Sequence, residues 1–139
     1  MAIHYSPKAG SILLCDFDGY KIPEIVKRRP VIVVSPQDVH QTCLCTIVPI
    51  STTPPRPVRP YHYKIENLPP LDRHFTASTA WVKCDLVYTV SYERLFMFHD
   101  GKNASGKRLY KQIEVTPEQL KQIRVCILKS IGLTSILIP

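Results

Sequence analysis

No stretch of this 139-residue chain reaches the roughly 18 consecutive apolar residues of a membrane span. Its first residues also lack the apolar core of a secretory signal. Together these absences make the cytoplasm the expected compartment. Cysteine is sparse, with five residues at positions 15, 43, 45, 84 and 126. An odd count without turn-rich spacing argues against the disulfide framework of a small secreted domain. Cys43 and Cys45 are two apart and would share one face of a strand, where reduced, packed thiols are expected. Acidic residues are few, 11 Asp+Glu against 18 Lys+Arg, which leaves a net charge of +7. That balance favours polyanionic partners through counterion release. Internal repeats are absent, and the length fits one domain spanning residues 1–139 with a core of its own.

What is present is a series of short apolar runs. Residues 11–17, 31–35, 43–50, 61–66, 75–82 and 85–90 read as strands. The run at 31–34 is apolar and mostly β-branched, as in a strand buried on both faces, and Pro30 suits its first position. Four prolines within residues 54–60 exclude helix and central strand there. Residues 92–96 fit one helical turn, and 100–108 a flexible basic loop. Thr116, Pro117 and Gln119 form a helix start, with Thr116 as N-cap and Gln119 three residues on. Leu120, Ile123, Cys126, Ile127 and Ile131 then recur on one face, and Gly132 ends the helix. The apolar tail 136–138 is expected to pack against a partner chain. Many strands and one C-terminal helix predict a mainly β, α+β domain.

Several polar groups stand where chemistry is feasible. Arg28 and Arg29 precede the buried run, so a planar donor fork sits at the rim of a rigid element, an arrangement suited to phosphate. Arg56, Arg59, Tyr61 and Tyr63 interleave cations and aromatics around the proline-rich segment, which suits a single nucleic-acid strand. His62 and His74 titrate near neutrality but have no evident partners in the sequence. Trp81, the only tryptophan, reads as core or interface.

Three blocks in order carry a resemblance. Gly10 to Gly19 (GSILLCDFDG), with Glu24 and Lys27, is followed by RRPVIVVS at 28–35 and VPIST at 48–52. The segment 81–95 (WVKCDLVYTVSYERL) completes the set. This pattern resembles the MazF/PemK family of toxins from bacterial toxin–antitoxin pairs. The resemblance implies an SH3-like antiparallel barrel of the CcdB–MazF type with a C-terminal helix. It further implies a homodimer, a small antitoxin partner, and cleavage of single-stranded RNA without metal or cofactor. Carried across by motif, Arg29 clamps the scissile phosphate, Ser51 and Thr52 offer hydroxyls, and Glu24 acts as a base or orients an arginine. Lys27, Arg28, Arg56, Arg59, Tyr61, Lys83 and Tyr88 are the expected RNA contacts. Many relatives have arginine where Tyr88 stands and glutamine where Leu86 stands, a departure that points to a different base preference through stacking on Tyr88. Two other readings use the same barrel: a CcdB-like poison of DNA gyrase, and a silent relative that binds RNA or protein without cutting.

Overall fold

Residues 30–34 carry neither charge nor glycine, and their branched side chains suit a pleated strand covered on both faces. In the computed structural model, which describes residues 1–134, they lie in and just past β2 (Arg29–Val33). Antiparallel neighbours flank β2: β1 (Ile12–Cys15) and β3 (Leu44–Ser51). The two-residue period divides the side chains between two cores. Ile32 and Val34 join Ile12, Val48 and Ile50 on one face, while Val31 and Val33 join Leu13, Cys15 and Ile47 on the other. Each such burial contributes about 1.5–3 kcal/mol, which makes β2 the structural centre of the molecule.

On its edge away from β2, β3 serves two ladders. Residues 44–47 pair with β6 (Tyr88–Ser91), whereas Ile50 and Ser51 pair with β5 (Ala80–Lys83). Pro49 has no N–H to give, and it falls where the neighbour changes. β4 (His62–Ile65) extends the sheet beyond β5, and β7 (Leu95–Phe96) extends it beyond β1. The order is β4-β5-β3-β2-β1-β7, with β6 alongside β3. The architecture is thus mainly antiparallel β with a C-terminal helix, as expected, and the ladder remains open between β4 and β7.

Helix α1 (Pro117–Ser130) starts as the sequence predicts. Thr116 Oγ1 accepts the Gln119 N–H at 3.1 Å, and Gln119 Oε1 accepts the Thr116 N–H at 2.8 Å. Ile123 and Cys126 enter the first core. Arg124 donates Nε and Nη2 to the Val34 carbonyl at 3.1 and 2.9 Å, fastening the helix to the end of the β2 segment.

Elsewhere the structure departs from expectation. The strand predicted over 75–82 begins only at Ala80, because Asp72 Oδ1 accepts the His74 and Phe75 N–H groups and turns the chain first. The loop predicted at 100–108 is largely a hairpin, β8 (His99–Lys102) and β9 (Arg108–Tyr110), separate from the main sheet. Cys43 is exposed, with φ of 57°, before β3 begins, so it does not share a strand face with buried Cys45. The predicted helical turn is the 3-10 turn Tyr92–Arg94. The apolar tail 136–138 lies outside the described residues.

Candidate functional site

The β2–β3 pairing aligns Val33 with Ile47, Ile32 with Val48 and Val31 with Pro49. The ladder ends at that pair, and beyond it Arg29, Pro30, Ile50 and Thr52 border one small cavity. Residues 29–30 and 50–52 therefore form one mouth of the sheet. Arg29 is exposed and has no side-chain ion pair among the described residues. Ser51 Oγ accepts the Thr53 N–H at 3.2 Å, which leaves its own hydroxyl proton free to donate. Arg29 and Thr52 both border a small cavity of about 50 Å³, walled by Leu68, Leu71 and Phe75. Half-buried Trp81 is the β5 partner of Ser51. Trp81 thus stands at the site although its local sequence reads as core. Only the pairing across β3 reveals its position.

The neighbouring arginine is engaged. Arg28 Nη2 lies 3.4 Å from Asp16 Oδ2, and its guanidinium stands 5.1 Å over the Phe96 ring. Asp16 belongs to a loop held by Arg94, whose Nη1 donates to the carbonyls of Asp16 and Asp18 at 2.9 and 2.7 Å. Gly19, at φ of 94°, makes the turn that a side-chain-bearing residue would resist. Phe17, Tyr20 and Tyr88 pack edge to face with centroids 5.3–5.7 Å apart. Tyr88 is thereby half buried, and its ring wedges the loop against β6, so base stacking on it is restricted to the uncovered part of the ring. Glu24 Oε1 accepts the Lys21 N–H at 2.8 Å, so this carboxylate closes its own turn. Lys27 is exposed beside it.

A second cluster forms where β4 meets β5. His62 pairs with Lys83 across the ladder, its Nδ1 accepts the Arg59 N–H at 2.9 Å, and its Nε2 lies 3.8 Å from Asp85 Oδ1. The His62 side chain is buried and holds the end of the proline-rich segment in place. Tyr61 stacks edge-on against it at 4.6 Å. Arg56 and Arg59 are exposed, as is His74 on a different loop. The structure thus joins Arg29, Ser51 and Thr52 at one mouth, sets Arg28 in a neighbouring cavity beside Phe96, and places Arg59, Tyr61 and Lys83 elsewhere.

A family model described as "PemK-like, MazF-like toxin of type II toxin-antitoxin system" matches residues 8–130. The chain belongs to this toxin family. Across 99% of both chains it is 30% identical to an Escherichia coli K12 protein described as "Putative uncharacterized protein YifN". An uncharacterized Haemophilus influenzae protein is 27% identical over 96% of this chain and 95% of its own. Among solved structures, MazF from Deinococcus radiodurans superposes with a TM-score of 0.63 at 19% identity, covering 93% of this chain and 99% of that one. A mycobacterial endoribonuclease in complex with its cognate antitoxin gives 0.61 at 23% identity, over 92% and 97%. At such identities these structures establish the MazF-like fold of this PemK-like chain. No helix among the described residues is long and apolar enough to cross a membrane.

Proposed function

We propose that this PemK-like toxin is a cytoplasmic endoribonuclease that cuts single-stranded RNA and thereby slows translation and growth. The observation that carries the reading is that exposed Arg29 borders one cavity with Thr52, the chain neighbour of Ser51, within a matched toxin family. RNA supplies its own nucleophile. The 2′-oxygen attacks the adjacent phosphorus as the bond to the 5′-oxygen breaks, and solvent water protonates the departing oxygen, leaving a cyclic phosphate and a 5′-hydroxyl. Negative charge gathers on the phosphoryl oxygens along the way. Arg29, with a fixed charge and a planar fork, stabilises that charge, and Ser51 donates a hydroxyl hydrogen bond to the same oxygens. Thr52 lines the mouth with a second hydroxyl. Glu24 takes the 2′ proton or shapes the loop that presents Lys27 and Arg28. No step requires a metal ion or cofactor.

Lys27, Arg28, Arg56, Arg59, Tyr61 and Lys83 extend the positive surface along which the strand runs, and Tyr88 contributes the edge of its ring. The protein acts as a homodimer restrained by a small antitoxin. An apolar groove of about 500 Å³ between α1 and the β2–β3 connection, bordered by Val34, Pro36, Val39, Ile127 and Leu128, supports such contacts. The test is induction of wild type beside Arg29→Ala in bacteria, with RNA ends mapped by sequencing, and cleavage by purified protein with and without EDTA. Growth arrest with new site-specific ends in wild type alone is expected. Arrest by both proteins without new ends would sink the ribonuclease reading and favour a gyrase-poisoning mode.

A further inference from the structure

We propose that the cavity between the β8–β9 hairpin and the main sheet is a subsite for a nucleotide adjoining the one clamped at Arg29. The inference rests on the ribonuclease reading and extends it to residues that no motif singles out. The cavity measures about 260 Å³, and Arg28, Phe96, His99, Arg108 and Tyr110 are among its walls. Arg28 is the chain neighbour of Arg29, their Cα atoms about 3.8 Å apart across a trans peptide. Leu14, which borders this cavity, pairs with Pro30, which borders the cavity at Arg29, so a strand whose phosphate sits at Arg29 has its next nucleotide within reach.

The chemistry of the walls fits a nucleotide. Arg108 is exposed and has no ion pair among the described residues. His99 and Tyr110 face each other across the hairpin ladder, with rings 5.8 Å apart and nearly perpendicular. Phe96 lies under the Arg28 guanidinium at 5.1 Å. Two cations beside three ring systems form the combination that grips an unpaired base and its phosphate. Asp72, the acidic residue of the lining, has one carboxylate oxygen occupied by the His74 and Phe75 N–H groups. His99 Nδ1 is shielded from solvent and has no hydrogen-bond partner, whereas buried polar atoms are nearly always paired.

The test measures binding of a fluorescent, uncleavable 2′-O-methyl RNA to wild type, Arg108→Ala and Tyr110→Ala, across a salt series. In parallel, each protein cleaves a random-sequence RNA pool and the ends are mapped. Arg108→Ala is expected to weaken binding about tenfold and to lower the slope of log affinity against log salt by about 0.7, one phosphate contact on a single strand. Tyr110→Ala is expected to leave that slope unchanged and to relax base preference at one position beside the cut. Both proteins fold, since these side chains are exposed, and circular dichroism checks this. Wild-type affinity, slope and base preference in both variants would overturn the subsite while leaving the ribonuclease standing. Weakened binding without cleavage by any protein would overturn the ribonuclease and keep the subsite. Failure of wild type to bind the RNA would overturn the subsite outright.

Discussion

Arg94 and Arg29 present the same planar fork of donors to different surroundings. Arg94 is half buried, donates to two backbone carbonyls, and stands 4.8 Å over the Tyr20 ring. Arg29 is exposed and leaves its donors to solvent. The first guanidinium stitches the Asp16–Tyr20 loop to the 3-10 turn. The second, at the end of a strand buried on both faces, is held in position without being used up. A guanidinium whose donors are taken up by backbone carbonyls is scaffold, and one presented on a rigid rim without partners is available to a ligand.

Substituting each arginine should therefore separate activity from stability. Arg29→Ala is expected to lower RNA cleavage by roughly 100- to 1000-fold, the loss typical of one oxyanion donor, with little change in thermal midpoint. Equal cleavage by variant and wild type would end the assignment. Arg94→Ala should do the reverse, costing about 2 kcal/mol of unfolding free energy by leaving two carbonyls short of a charged donor, as urea titration would show. An unchanged midpoint would mean that the aromatic cluster alone holds the loop. Ser51→Ala should reduce cleavage roughly tenfold, about 1.4 kcal/mol, and Ser51→Thr should restore it. If threonine fails to rescue, the hydroxyl is not the working group.

The smallest effect sharpens the contrast by pH. Burial pushes the Cys15 thiol up to about 12, with Arg94 pulling it the other way, and burial lifts Cys45 to about 11. Raised thiol values stabilise the fold below the ordinary value near 9, because folded and unfolded states are then equally protonated. Above it the unfolded chain ionises first, so stability is lost as pH climbs from about 9 towards 12. Unfolding titrations at pH 8 and pH 10.5 should show the drop. Cys15→Ser and Cys45→Ser should flatten it.

Much of this arrangement is legible in the sequence, and the gaps have physical causes. The β2 run and the Thr116 cap are local patterns, and both are present as read. The approach of the Arg29 end of β2 to the Ser51 end of β3 is not local. Its register is set across a connection containing Asp38, Gln41 and Cys43 at positive φ, where no short turn signature applies. The hairpin at 99–110 escapes notice because its strands are short and exposed, without the alternation that marks a strand. The late start of β5 reflects one carboxylate outcompeting a ladder for two N–H groups. The surroundings of Trp81 and Tyr88 are built from β3 and from the Phe17 loop, far away in the chain, so no local pattern describes them.

The three ladders on β3 bear on hydrogen exchange. An amide exchanges when its bond opens, and the slowest amides are those whose opening requires the whole domain to unfold. β3 is enclosed by β2 on one edge and by β6 and then β5 on the other. Its central amides should be among the last to take up deuterium, while the separate β8–β9 hairpin exchanges early. Ser51 is carried at the end of this protected strand. The mouth it shares with Arg29 should then keep its geometry through the local openings that loosen the loops around it.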